Sequence, residues 1–163
     1  MLRAIYPGSF DPITVGHLDI LDRALQICSE VTVVVAGSGR KNALFTTEER
    51  VALIRDVVAD RPGVKVDQTT GLIMDYARNH KIGAVVRGLR AASDFEYEFM
   101  MASMNKKLNP EVETVFMMTS QNYYFVSSTM IKELYLYGGD ISPYVPPLVV
   151  ERLKAKFAGG AAK

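Results

Sequence analysis

The residues of this 163-residue chain that could do chemistry fall in a few short segments. The first is Tyr6-Pro7-Gly8-Ser9-Phe10-Asp11-Pro12-Ile13-Thr14-Val15-Gly16-His17, with a hydroxyl (Ser9), a small residue (Gly16) and one of the chain's 2 histidines. An apolar run, Leu2–Tyr6, leads into it, and an apolar-periodic helix begins near His17. Strand, Gly/Pro-punctuated loop and helix, in that order, set backbone N–H groups at a helix start, where a phosphate can be held. The other segments are Lys41 in a Gly/Ser-rich loop, Arg87-Gly88-Leu89-Arg90, and Val126-Ser127-Ser128-Thr129. His17, Lys41, Arg87 and Arg90 can all be cationic, which suits a ligand with several phosphates. A nucleotide site is the first expectation.

Each feature also has a plainer reading. His17 can cap or pack a helix start, and Lys41, beside Arg40, can be a solvated loop charge. An arginine ending a buried strand needs an anionic partner, either a ligand phosphate or a carboxylate such as Asp94 or Glu98. Three hydroxyls at 127–129 offer more than one helix cap uses. Tyr123, Tyr124 and Phe125 read as core, with one able to flank an adenine. Phe95-Glu96-Tyr97-Glu98-Phe99 reads as helix packing, with Glu98 able to face a cleft. His80, in Arg78-Asn79-His80-Lys81, reads as solvated surface, and Cys28 as a buried structural thiol. No G-x-x-x-x-G-K-[ST] occurs, and no G-x-G-x-x-G follows the first strand, so neither a P-loop nor a dinucleotide fingerprint is present.

These residues need elements to position them, and the pattern alternates. Apolar, β-branched runs at Leu2–Tyr6, Val31–Ala36, Val64–Val66, Ala84–Val86 and Val112–Met118 read as strands. Helical patterns lie at 17–28, 47–59, 72–80, 94–107, 128–137 and 148–157, the last after a Pro-rich stretch, Ser142–Pro147. Thr46-x-x-Glu49 and Ser93-x-x-Glu96 read as capping boxes. Strands separated by helices imply a doubly wound, five-stranded parallel α/β sheet of Rossmann-like type with helices on both faces. Ser9 and His17, Lys41, Gly71–Ile73, Arg87–Arg90 and Tyr123–Thr129 each follow a strand, so they should converge on one cleft at the strands' carboxyl edge.

The length fits one domain over 1–163, with no repeat or linker and a frayed tail at 158–163. The apolar share of 48% and charged share of 23% are ordinary for a globular protein. With 19 Lys+Arg against 18 Asp+Glu, no global field argues for nucleic acid or a membrane. The single cysteine offers neither a disulfide nor a metal framework. No basic leader and no long apolar segment is evident, so cytoplasm is the expected compartment.

Together, YPGSFDPITVGH, FTTEERVAL, RGLRAASDFEYEF and VSSTMIKE resemble the nucleotidylyltransferase superfamily, and within it the bacterial phosphopantetheine adenylyltransferase family, over about residues 3–157. The family has Thr in many members at the position of Ser9 and often Ser at that of Thr129, and both substitutions keep a hydroxyl. The resemblance implies transfer of AMP from ATP to 4′-phosphopantetheine, giving dephospho-coenzyme A and pyrophosphate, the penultimate step of coenzyme A synthesis. It further implies Mg²⁺, a homohexamer of two trimers, and coenzyme A as a feedback ligand to be tested. Carried over by position, Ser9 and Phe10 contact ATP, and His17 binds its phosphates and stabilises the transition state. Lys41, Ile73 and Arg87, with Ser9, contact phosphopantetheine. Gly88, Leu89, Arg90, Glu98, Tyr123, Tyr124, Phe125, Val126, Ser127, Ser128 and Thr129 surround the nucleotide. His17, Lys41 and Arg90 are the expected catalytic set, with no protein metal ligands and direct in-line attack. The alternatives are a related enzyme acting on phosphocholine or nicotinamide mononucleotide, and a nucleotide-sensing module without turnover.

Overall fold

A computed structural model describes residues 2–37 and 43–158. The chain alternates strand and helix: β1 (Arg3–Gly8), α1 (Val15–Ala24), β2 (Glu30–Ala36), α2 (Thr47–Val57), β3 (Val64–Thr69), α3 (Ile73–Asn79), β4 (Ala84–Leu89), α4 (Ala92–Leu108) and β5 (Glu113–Met118), followed by α5 (Ser128–Leu136) and α6 (Pro147–Ala158). The strands form a five-stranded sheet in the order β3-β2-β1-β4-β5, every pair parallel. This is the doubly wound α/β fold that the alternation implies.

Period-two alternation distributes the central strands' side chains to two faces. Ala4 and Tyr6 of β1 point with Val31, Val33, Val35, Ala84 and Val86 into a core closed by α1, α2, α5 and α6. Ile5, Val34 and Val85 point the other way, against Met74, Tyr76 and Ala77 of α3. The edge strands β3 and β5 are only half-buried. Among the described residues no helix is long and apolar enough to cross a membrane.

The expected Thr46/Glu49 capping box is present: Glu49 N–H donates to Thr46 Oγ1 at 3.2 Å and Thr46 N–H to Glu49 Oε2 at 2.7 Å. The expected Ser93/Glu96 box is not formed. Helix α4 starts at Ala92, and Asp94 Oδ2 accepts from Arg90 N–H at 3.2 Å, so Ser93 lies inside the first turn. Helix α4 also departs from the packing expectation, with no buried residue; Phe95, Tyr97 and Phe99 are exposed. Cys28 is buried as expected, but in the turn between α1 and β2. Thr46→Ala should therefore lower stability by about 1 kcal/mol, the usual worth of an N-cap. Ser93→Ala should be near neutral, as compared by denaturation midpoints.

Candidate active site

Strand order reverses at β1, whose neighbours are β2 on one side and β4 on the other. The carboxyl ends of β1 and β4 therefore diverge into a crevice, the usual ligand position in such sheets. A cavity of about 510 Å³ opens there, lined from β1 and its loop by Ser9, Phe10 and His17. β4, the turn after it and α4 supply Arg87, Gly88, Arg90 and Glu98, and the lead into α5 with its first residues supplies Val126, Ser127, Ser128 and Thr129. A second cavity of about 430 Å³ adjoins it and takes Ser9, Ile73 and Arg87. The cavities share a wall of Pro7, Gly8, Ser9, Arg87, Tyr97 and Glu98.

Helix α1 begins with a reciprocal cap. Thr14 N–H donates to His17 Nδ1 at 3.0 Å, and Thr14 Oγ1 accepts from His17 N–H at 3.4 Å. With the Nδ1 lone pair occupied by a donor, the proton of the neutral ring sits on Nε2. Burial, then the charges of Arg90 and Arg87, push this imidazole down to about 4. His17 is thus a neutral N–H donor at pH 7, not the cation expected from its type. The capping reading of this residue is borne out, and the same bonds leave its Nε2–H unused by the cap.

The two arginines expected as cations are paired. Arg87 Nε donates to Glu98 Oε2 at 2.7 Å, its Nη2 donates to Glu98 Oε1, and its Nη1 reaches the Pro7 carbonyl at 2.7 Å. Arg90 Nε donates to Asp94 Oδ2 at 3.1 Å. The carboxylate partners foreseen as the alternative for Arg87 are therefore both engaged, one on each arginine. Arg87 belongs to β4, opposite Phe116, because the strand runs three residues beyond the apolar run that marks it in the sequence. Lys41 lies outside the described residues. Among the described residues, the two arginines at the cleft are thus matched by carboxylates.

Leu89, Tyr123, Tyr124 and Phe125 are not among the residues that line either cavity. Leu89 is buried in the sheet, and Tyr123 packs on the core. Tyr124 and Phe125, expected in the core, are exposed, with Phe125 edge-on to Tyr144. A Cβ at Gly16 would meet Thr14 and Tyr123 in ordinary contact at 3.6 Å, so this glycine abuts the loop after β5 as well as the cavity. His80 is exposed but not merely solvated: its ring stacks on Tyr76 at 4.0 Å and its Nδ1 lies 2.9 Å from the Tyr76 carbonyl.

Several residues hold the loop after β1 and the segment after β5 through contacts that the motifs do not announce. Asp11 is buried and accepts from Leu44 N–H, Phe45 N–H and Lys132 Nζ at 2.9, 2.9 and 2.8 Å. Burial alone would raise its carboxyl; the hydrogen bonds from Lys132, Phe45 and Leu44 outweigh it and hold the group below the usual range. Ser128 Oγ donates to the Pro12 carbonyl at 2.7 Å, tying α5 to the same loop. Asp19 accepts from Ser120 Oγ and N–H at 2.7 and 3.2 Å, pinning the segment after β5 to α1.

Among the described residues no group of three His, Cys, Asp or Glu side chains is placed to hold a metal ion. Glu98 and Asp94, the carboxylates lining the larger cavity, are bonded to arginines. The side chains in place there do not form a Mg²⁺ site of their own.

The depressed histidine has a consequence for stability. Between about pH 6.5 and about 4 the unfolded chain takes up a proton on His17 that the folded chain refuses. Protons then favour the unfolded state, so stability falls as pH drops through that window. The urea midpoint should fall more between pH 7 and pH 4.5 in the wild type than in His17→Gln.

The residues 5–134 match a family model described as Cytidylyltransferase-like. A phosphopantetheine adenylyltransferase from Geobacter sulfurreducens is 54% identical over 156 residues, covering 96% of this chain and 95% of that one. One from Heliobacterium modesticaldum is 54% identical over 157 residues, covering 96% and 94%. A solved structure from Vibrio parahaemolyticus, provisionally assigned as a nicotinate-nucleotide adenylyltransferase, superposes with a TM-score of 0.67 at 18% identity, covering 94% of this chain and 99% of that one, and so speaks for the fold alone. Identity above one half across nearly the whole of both chains, on a cytidylyltransferase-like fold with its cleft at the β1/β4 junction, places this chain in the phosphopantetheine adenylyltransferase family.

Proposed function

We propose that this enzyme moves the adenylyl group of ATP onto 4′-phosphopantetheine, releasing pyrophosphate and dephospho-coenzyme A. The observation that carries the reading at the level of geometry is the wall shared by the two cavities. One chamber takes the nucleotide and the other the acceptor's arm, and the reacting phosphates meet over Ser9 and Arg87. An oxygen of the pantetheine phosphate attacks the α-phosphorus of ATP; the bond from that phosphorus to the bridging oxygen breaks, and pyrophosphate leaves with the electron pair. The acceptor phosphate has its second pKa near about 6 and is already the nucleophile at pH 7, so no general base is needed. Orientation and charge stabilisation remain for the protein to supply.

The neutral His17 donates its Nε2–H to oxygens that gain charge in the transition state. The amino-terminal ends of α1 and α5 add oriented N–H dipoles beside it. Ser9, Phe10, Gly88, Arg90, Glu98 and the 126–129 segment hold the nucleotide; Ser9, Ile73 and Arg87 hold the acceptor. Arg87 meets the acceptor phosphate with the donors that Glu98 and Pro7 leave free, and Lys41 is proposed to join it there. Leu89, Tyr123, Tyr124 and Phe125, which line neither cavity, are given no direct contact in this reading. Mg²⁺ is proposed to arrive on the triphosphate, where it would screen repulsion between the anions. Coenzyme A, which shares the pantetheine arm and the adenylate of dephospho-coenzyme A, is proposed to enter the same pair of cavities as a competitor.

The enzyme is further proposed to work as a homohexamer. The apolar side chains that α4 leaves exposed, Phe95, Phe99, Met100 and Met104 among them, support an assembled state. Light scattering should report six chains, and a monomer overturns this. Incubation with ATP, 4′-phosphopantetheine and Mg²⁺ should release pyrophosphate, which phosphocholine or nicotinamide mononucleotide in place of the acceptor should not. Without an acceptor there should be no stoichiometric burst of pyrophosphate; a burst would reveal an adenylyl-enzyme and end the direct mechanism. His17→Ala should cut kcat by roughly 10², the scale of one lost preorganised donor, and His80→Ala should leave it unchanged.

A further inference from the structure

We infer that Arg50, a residue outside both cavities, is a positioning residue that turns the Ser9–Phe10 peptide so that the Phe10 N–H faces the phosphates; this rests on the reading of the cleft as the ATP site. Arg50 is 2% exposed, one of the largest fully buried side chains of the protein. Its Nη1 donates to the Ser9 carbonyl at 2.6 Å, its Nε to the Thr46 carbonyl at 3.3 Å and its Nη2 to Thr47 Oγ1 at 3.0 Å. None of these acceptors is charged. That sets Arg50 apart from Arg87, Arg90 and Lys132, which are matched by Glu98, Asp94 and Asp11. A buried guanidinium facing only dipoles is expensive to keep. A polyphosphate on the far side of the Ser9 peptide would supply the missing anion.

The peptide's own geometry directs this. In a trans peptide the C=O and N–H point in opposite directions, and the one cis bond among the described residues is Asp11–Pro12. With the Ser9 carbonyl turned back toward Arg50 and α2, the Phe10 N–H points away from them. Ser9 and Phe10 both line the larger cavity, and among the described residues nothing accepts from that N–H. Phe10 holds φ at +47°, a left-handed conformation uncommon for a bulky side chain. Something must enforce it. The Phe10 ring is packed edge-on to Tyr6 and His17 at 5.4 and 5.0 Å, and Arg50 anchors the carbonyl just before it. Strain of this kind, held by its surroundings, is found at ligand clamps.

The test uses the full chain and two probes, ATP in the complete assay and inorganic pyrophosphate by calorimetry. Arg50→Lys keeps the charge but cannot hold the carbonyls and the hydroxyl at once. It should raise KM for ATP and weaken pyrophosphate binding by about tenfold, the worth of one charge-assisted hydrogen bond. KM for phosphopantetheine should stay within about twofold, a split that a general loosening of the fold would not give. Thr47→Val, which leaves the Ser9 contact intact, should behave as wild type. In wild-type protein labelled with ¹⁵N-phenylalanine, the Phe10 amide signal should shift on adding pyrophosphate, whatever the variants do. An Arg50→Lys enzyme with unchanged ATP and pyrophosphate affinity overturns the role of Arg50, as does a Phe10 amide unmoved at saturation or a parallel rise in both KM values. A wild type that binds neither ATP nor pyrophosphate overturns the assignment of the cleft itself, and this inference with it.

Discussion

The exchange of hydrogen bonds between Thr14 and His17 does two things with the same atoms. It satisfies N–H groups at the start of α1, which would otherwise be left without an intrahelical partner. It also occupies His17 Nδ1, and so leaves the ring's proton on the nitrogen that remains for a ligand. Burial and two neighbouring guanidinium groups keep that ring neutral. A protonated imidazole would have no lone pair with which to accept from Thr14 N–H, so charging the ring costs the cap. Helix start, tautomer and protonation state are one constraint.

That constraint changes how the cleft handles anions. Arg87 and Arg90 carry charges already balanced by Glu98 and Asp94. A field of bare cations would bind any polyanion and would release pyrophosphate poorly. A neutral imidazole, the amino-terminal ends of α1 and α5 and oriented backbone amides act instead over short range and in fixed directions. In the proposed reaction such groups would favour the geometry in which charge develops at the α-phosphate over the mere presence of charge.

The layers of the fold were legible because burial on both sides of a central strand leaves near-continuous β-branched and apolar runs, as in Val31–Val35. The end of β4 was not, since Arg87 and Gly88 read as loop although they pair with Phe116 and Met117. Sequence type gives a histidine's capacity for charge but not its environment, which is why His17 read as a cation. The partner of Arg87 was legible only as one of two options, because Glu98 meets it through a helix whose rotation no motif fixes. Arg50 left a readable trace: it falls on the same helix face as Leu53 and Ile54, three and four positions on, where a solvated arginine has no place. Asp11 and Asp19 left none. Their partners, the N–H groups of Leu44 and Phe45 with Lys132 Nζ for Asp11, and Ser120 N–H and Oγ for Asp19, are distant in sequence and brought near only by the completed fold.

The same contacts explain why a strained loop can serve as a rigid site. Residues 9–14 are gripped by three helices at once. Thr14 caps α1, Arg50 of α2 holds the Ser9 carbonyl, and α5 reaches in with Ser128 on the Pro12 carbonyl and Lys132 on Asp11. Each grip falls on a different residue of the loop, so no single one sets its shape. A phosphate entering the cleft therefore meets donors whose positions were already fixed when the sheet and these helices packed, and little ordering entropy is left to be lost on binding.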